Sequence, residues 1–225
     1  AGRVYLSLLD GQRLSHDPLR PELMCRAEWW KQPEAALRQA TVVCGCGGGD
    51  AVREPLPRLF SGAGRLVLDA DALNAVAGDA KLQTLLRARA DRGRMTVLTP
   101  HPLEAARLMA FDAAQVQADR AGAAQSLADD FGCVVVLKGS GTVVAAPGLS
   151  PRINPTGSAA LATAGTGDVL AGWLGGLWAQ QPGELQLEGA AQAACAGVFR
   201  HGAAADASGA RVLAAGDLID AMRDQ

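Results

Sequence analysis

Nowhere does the chain gather Lys and Arg densely, and its formal charge is −2, from 21 basic and 23 acidic residues. A phosphate-backbone footprint needs basic side chains clustered on one face, so nucleic acid is not an expected partner. Long apolar runs are lacking too. The longest, Val169 to Ala179, carries three glycines and falls short of the roughly 20 residues that cross a bilayer. No membrane span is therefore expected. The start, Ala1-Gly2-Arg3-Val4-Tyr5-Leu6, has none of the charged region, apolar core and small-residue cleavage site of a secretory signal, which points to a cytoplasmic address. Five cysteines, Cys25, Cys44, Cys46, Cys133 and Cys195, include no C-x-x-C pair and no His at zinc-ligand spacing. They read as small core residues in a reducing compartment. Fixed-period repeats and low-complexity linkers are also absent.

What is present is globular: 225 residues, 49% hydrophobic and 20% charged, enough for one packed α/β domain over residues 1–225. Short β-branched runs alternate with Ala- and Leu-rich helical stretches, a pattern that predicts a mostly parallel sheet with helices on both faces. Strands are expected at Val4 to Leu8, Thr41 to Cys44, Leu66 to Asp69, Thr96 to Thr99 and Val134 to Leu137, most of them uniformly apolar as doubly covered strands are. Thr142 to Ala146, Pro147-Gly148 and the return to Ile153 predict an antiparallel edge hairpin. Helices are expected at Pro33 to Ala40, Ala72 to Val76, Lys81 to Arg89, Leu103 to Met109, Ala113 to Phe131, Asp168 to Gln180, Leu187 to Ala205 and Asp217 to Arg223, the last capped by Gly216-Asp217.

The densest chemical signal is Asn154-Pro155-Thr156-Gly157-Ser158 followed by Ala164-Gly165-Thr166-Gly167-Asp168 and an apolar helix. Small residues before a helix leave backbone N–H groups free, and the helix dipole adds about half a positive charge there. The run predicts an anion hole, with Asp168 as first helical residue placed to accept a proton from an attacking hydroxyl. A capping Asp on a Gly-shaped turn is the plain alternative. Gly172, Gly175 and Gly176 each weaken the helix by up to ~1 kcal/mol, which marks it as closely packed.

Other strand ends carry polar groups. Cys44-Gly45-Cys46-Gly47-Gly48-Gly49 permits a sharp turn and close ligand approach; its third glycine is misplaced for a dinucleotide fingerprint, and Arg53-Glu54-Pro55 interrupts the helix such a site needs. Leu68-Asp69-Ala70-Asp71-Ala72-Leu73-Asn74 brings two carboxylates and an amide to a strand's C-terminal end, with a helix cap by Asp71 as the alternative. Thr99-Pro100-His101-Pro102-Leu103-Glu104 fixes a His between prolines, making His101 a better ligand candidate than His16 or His201. Lys138-Gly139-Ser140-Gly141-Thr142 supplies a cation, two glycines and two hydroxyls, or a solvated surface turn. All of these fall on the ligand-binding edge of an open α/β sheet.

Taken in order, these motifs, with Arg20-Pro21-Glu22-Leu23-Met24 and His201-Gly202-Ala203-Ala204-Ala205-Asp206, resemble the ADP/ATP-dependent NAD(P)H-hydrate dehydratases, a carbohydrate-kinase-like family. The resemblance implies a ribokinase-like three-layer α/β/α sandwich that dehydrates the S epimer of NADHX or NADPHX, with ADP or ATP as co-substrate and Mg²⁺ for charge neutralisation; the closer likeness is to the ADP-using bacterial type. It implies Asp168 as base, the N–H groups of Ala164, Gly165, Thr166 and Gly167 as phosphoryl hole, Lys138 to Thr142 with Gly167 on the nucleotide, and Gly47, His101 and Asp168 on the substrate. Gly45, Asp69, Asn74, Glu104 and Asn154 are further candidates, and no metal ligands are assigned. It also implies a homo-oligomer, a tetramer being the form it suggests, and fusion to or cooperation with an epimerase.

Departures stand at Leu103, where the family commonly has Gly, at Cys46 to Gly49, commonly Pro-Gly-Leu-Gly, and at Ser158, commonly Asn. The family usually places one further strand and helix, with a Gly-rich substrate loop, before the equivalent of Ala1; on that ground a truncated chain of weak or absent activity is expected. A sugar or hydroxymethylpyrimidine kinase, or a non-catalytic nucleotide-binding remnant, would account for the same motifs.

Overall fold

A computed structural model describes residues 2–9, 11, 15–181 and 186–223. Along the chain come β1 (Val4–Leu6), β2 (Leu23–Cys25), α1 (Glu34–Gln39), β3 (Thr41–Cys44), α2 (Leu56–Gly62), β4 (Arg65–Leu68), α3 (Ala70–Ala77), α4 (Ala80–Arg87), β5 (Met95–Leu98), α5 (Pro102–Met109), α6 (Ala113–Ala118), α7 (Arg120–Phe131), β6 (Val134–Leu137), β7 (Val143–Ala146), β8 (Leu149–Ile153), α8 (Thr166–Trp178), α9 (Leu187–Ser208) and α10 (Ala215–Arg223). The main sheet has the order β3-β4-β5-β6-β7-β8. Its first four strands are parallel and in register, Val42 facing Leu66 and Leu66 facing Thr96, and β6-β7-β8 is the antiparallel edge expected from the Pro147-Gly148 turn.

Side-chain alternation divides the core between the two faces. Leu66, Leu68, Leu98, Val135 and Leu137 pack with α1 to α7 on one side. Val67, Val97, Val134 and Val136 pack with α8 and α9 on the other. Because both faces are covered, every residue of β6 is buried, which is why these strands read as continuous apolar runs. A third cluster, Ala160, Ala204, Ala205, Leu213, Leu218 and Met222, ties α10 to α9.

One buried cation locks the first layer. Arg89 is 1% exposed and donates to the Thr96 hydroxyl and to the carbonyls of Leu59, Phe60, Ala63 and Met95. It therefore joins the end of α2 to the start of β5. Burial and then the nearby Arg94 lower its pKa to about 9.

Several expectations are corrected. β1 pairs with β2 in a separate two-stranded parallel sheet and does not belong to the central one. The single helix expected over Ala113 to Phe131 is two, because Asp119 takes φ −142° and uses its carboxylate to cap α7 at Gly122. α10 begins at Ala215, so Asp217 lies within its first turn and accepts from the Ala214 N–H. The α2 helix and the β2 strand were not expected. The cysteines are not uniformly core residues, since Cys46 is exposed and Cys25 and Cys195 are half-buried.

Candidate active site

The C-terminal ends of β3, β4, β5 and β6 lie side by side, and the chain leaving each one turns over the same edge. After β3, Gly45 takes φ +124°, and a Cβ there would lie 1.8 Å from the Asp69 carbonyl oxygen. The glycine therefore serves close approach of two backbones rather than of a ligand. Asp69 N–H donates to the Cys44 carbonyl, and Asp71 N–H to that of Gly45. Asp71 is not the cap of α3: Asp69 holds the cap position, and the Asp71 carboxylate accepts the Gly49 N–H at 2.8 Å.

Asp69, 1% exposed, is the centre of the site. Its Oδ1 receives Lys138 Nζ at 2.6 Å, from across β5. Its Oδ2 is buried with no hydrogen-bond partner among the described residues. Glu104, also buried, lies 4.0 Å from the same ammonium. Glu104 is fixed by a capping box at the start of α5: its Oε2 accepts the His101 N–H, while His101 Nδ1 accepts the N–H groups of Leu103 and Glu104. Nδ1 is thereby held unprotonated, and a neutral His101 carries its proton on Nε2, 3.4 Å from Glu104 Oε1.

Opposite stands the first turn of α8. Gly165 caps it at φ +86°, and the N–H groups of Thr166, Gly167 and Asp168 have no acceptor inside a helix that starts there. Asp168 is the third helical residue, not the first as expected. A Cβ on Gly167 would sit 3.3 Å from Lys138 Nζ and 3.9 Å from Asp69 Oδ2, so glycine at 167 lets this turn close onto the ion pair. One donor atom each of Cys46, Asp69 and Asp168 lies within 4.8 Å of the others. Burial, then the charges of Asp69 and Asp168, push the Cys46 thiol up to about 12. Cys46 reaches the surface, and the two carboxylates beside it help hold its proton on. At neutral pH Cys46 is a protonated thiol, not a nucleophile.

Of the residues singled out from sequence, Gly45, Asp69, His101, Glu104, Lys138, Gly167 and Asp168 converge, and Gly47 follows Cys46 at the rim. Asn74 and Asn154 are engaged elsewhere. Asn74 accepts from Arg107 and joins α3 to α5. Asn154 exchanges hydrogen bonds with Thr156 inside its own loop.

Two supports were missed. Arg120 donates to the carbonyls of Leu137, Lys138 and Gly141 and braces the Lys138 to Thr142 turn. His201, ranked below His101 from sequence, is buried and places Nε2 2.9 Å from the Thr166 carbonyl. Burial lowers its pKa, against the Thr166 hydrogen bond that raises it, so the neutral ring is the donor. Beside it Asp206 accepts the Gly157 N–H at 2.8 Å. Gly202 admits the Thr156-Gly157 backbone, where any Cβ would clash at under 3 Å. The first turn of α8 is thus carried on α9.

A mostly parallel sheet with an edge hairpin, and a helix start aimed over its C-terminal edge, is the ribokinase-like architecture. The Pyrococcus horikoshii hydroxyethylthiazole kinase structure shares that fold at 18% identity, TM-score 0.66, covering 92% of this chain and 81% of that one. Residues 15–223 match the family model described as NAD(P)H-hydrate dehydratase, and the chain belongs to that family. It is 45% identical over 189 residues to the ADP-dependent (S)-NAD(P)H-hydrate dehydratase of Neisseria meningitidis, covering 81% of this chain and 60% of the relative. It is 45% identical over 177 residues to the bifunctional NAD(P)H-hydrate repair enzyme of Moorella thermoacetica, covering 76% and 30%. The chain therefore spans less than two thirds of either relative's length. The crystal structure of the Bacillus subtilis ADP/ATP-dependent NAD(P)H-hydrate dehydratase co-crystallised with ATP/Mg²⁺ superposes at TM-score 0.70 and 28% identity, covering 92% and 72%.

Proposed function

We propose that residues 1–225 act as one domain that dehydrates the S epimer of NADHX or NADPHX at the expense of ADP or ATP, restoring NADH or NADPH. The observation that carries this reading is the seating of Asp168 and the open first turn of α8 against the Lys138–Asp69 pair, in a chain of the dehydratase family. Hydroxide is a poor leaving group, and a nucleotide serves to convert it into phosphate. As the substrate hydroxyl oxygen bonds to the terminal phosphorus, Asp168 takes its proton and the nucleotide departs one phosphate shorter. The ring nitrogen of the hydrate then pushes its lone pair toward the carbon that bears the phosphate, the C–O bond breaks as phosphate leaves, and the neighbouring carbon gives up a proton to solvent, which restores the dihydropyridine.

The N–H groups of Ala164, Gly165, Thr166 and Gly167 hold the transferring group, where preorganised donors are each worth roughly 3–4 kcal/mol in a transition state. Lys138 to Thr142 with Gly167 take the nucleotide phosphates, and Gly47 and His101 flank the hydrated nicotinamide. Three carboxylates (Asp69, Glu104, Asp168) outnumber the one ammonium, so a polyphosphate needs further positive charge beside it. The orphan Asp69 Oδ2 and Glu104 fit a hard divalent cation. Mg²⁺ held there would neutralise phosphate charge. No described helix is long and apolar enough to cross a membrane. We extend the reading to a cytoplasmic homo-oligomer working with an epimerase, in keeping with relatives named bifunctional repair enzymes.

Incubation with NADHX and ADP or ATP, following both reduced cofactor and inorganic phosphate, tests the reading. Equal amounts of the two are expected. Release of a stable phosphate ester from a sugar or pyrimidine alcohol would make the chain a kinase, and nucleotide binding without turnover would make it a binding module.

A further inference from the structure

Cys46, Asp69 and Asp168 come from three separate elements, the loops after β3 and β4 and the first turn of α8, yet their donor atoms lie within 4.8 Å of one another. Asp69 supplies the second observation. With Oδ1 on Lys138, its buried Oδ2 has no partner among the described residues and is turned toward Gly167, 3.9 Å from where a Cβ there would be. An unsatisfied buried carboxylate oxygen is costly, and a cation would satisfy it. The donor set is one sulfur and two oxygens. Zinc with Zn–S about 2.3 Å and Zn–O about 2.1 Å places tetrahedral ligands roughly 3.4–3.6 Å apart, a contraction that two exposed side chains, Cys46 and Asp168, can make. The Asp69 Oδ2 that fits Mg²⁺ beside a bound polyphosphate is here the shared oxygen for which the two ions compete: magnesium has no use for the thiol, whereas a thiophilic ion selects it.

We propose that Cys46, Asp69 and Asp168, with water in the fourth position, form a site for a thiophilic divalent cation of the Zn²⁺ type, and that an ion there inhibits the enzyme by occupying Asp168. Binding exchanges the Cys46 S–H proton for the metal and releases one proton to solvent per ion. The inhibitory part rests on Asp168 being the base; the binding part does not.

Titration of the full chain with Co²⁺, without substrate, reads the site through the thiolate-to-cobalt charge-transfer absorption, and Zn²⁺ competition gives the affinity. One ion per chain is expected. Cys46→Ser should abolish the absorption and weaken Zn²⁺ by at least about tenfold, the cost of losing even an outer-shell partner. Asp168→Asn should keep the absorption and weaken binding, and Cys195→Ser should match wild type. Wild type without the absorption, or Cys46→Ser retaining it, overturns the proposal. Zn²⁺ should also suppress NADHX dehydration in wild type and much less in Cys46→Ser. A chain that binds Co²⁺ through Cys46 but shows no dehydration keeps the site and loses the dehydratase reading; an active chain without the absorption does the reverse.

Discussion

Replacing Lys138 by Met leaves Asp69 buried with neither carboxylate oxygen partnered among the described residues, since Oδ2 already lacks a donor there and Oδ1 has Lys138 at 2.6 Å. Breaking a buried ion pair by removing one partner costs about 3–5 kcal/mol. The Lys138 side chain keeps 19% exposure, so solvent softens the loss and the expectation sits at the low end, about 3 kcal/mol. Asp69→Asn alone strands an ammonium that can still reach water and should cost less. Combining the two removes both charges, and the double variant should be clearly more stable than the sum of the single losses predicts. Denaturant unfolding of the four proteins gives the coupling energy directly. A coupling within about 0.5 kcal/mol, the level at which independent sites simply add, would refute the pair as an energetic unit. The double variant separates stability from function as well: it should regain folding and still bind nucleotide poorly, because the cation facing the α8 turn is gone.

Gly45→Ala forces a side chain into φ +124° and against the Asp69 carbonyl, for a loss of about 1–3 kcal/mol from backbone strain alone. Thermal unfolding and turnover should both fall, and an unchanged Tm would contradict the close approach. His201 has its pKa lowered from 6.5 by burial, so between that value and its lower folded pKa the unfolded chain binds the extra proton. Stability is then full above about pH 6.5 and declines as pH falls through the folded pKa. His201→Gln, which keeps a donor for the Thr166 carbonyl, should flatten that slope in unfolding experiments across this range; an unaltered slope would clear His201 of the effect.

The parallel strands, the edge hairpin and the Gly-rich start of α8 were legible because each rests on local pattern: apolar runs covered on both faces, a Pro-Gly turn, small residues before a helix. What escaped was set by tertiary context. Arg53-Glu54-Pro55 read as an interruption, although prolines at a helix start, here Pro55 and Pro57, cost no intrahelical hydrogen bond and α2 forms there. The composition from Ala113 to Phe131 is helical throughout, and only the two caps by Asp112 and Asp119 divide it. β1 has strand character, but its partner β2 is three residues long and only half-buried, too slight a signal to find.

The same holds in the site. Asp168 was legible as a carboxylate at a Gly-rich helix start. The Lys138–Asp69 pair spans 69 residues, and strand order alone brings it together. The support from Arg120 and His201 is side chain to carbonyl, which no residue pattern announces. Cys46 read as a core thiol because only folding brings it beside two carboxylates.

The central claim is that Asp168 takes the proton from the attacking hydroxyl. Asp168→Asn keeps the size and the helix, so nucleotide affinity by calorimetry should stay near wild type while recovery of reduced cofactor from NADHX falls about 10²- to 10⁴-fold, roughly 3–5 kcal/mol of barrier. Turnover by Asp168→Asn at the wild-type rate, with nucleotide still bound, would contradict the account.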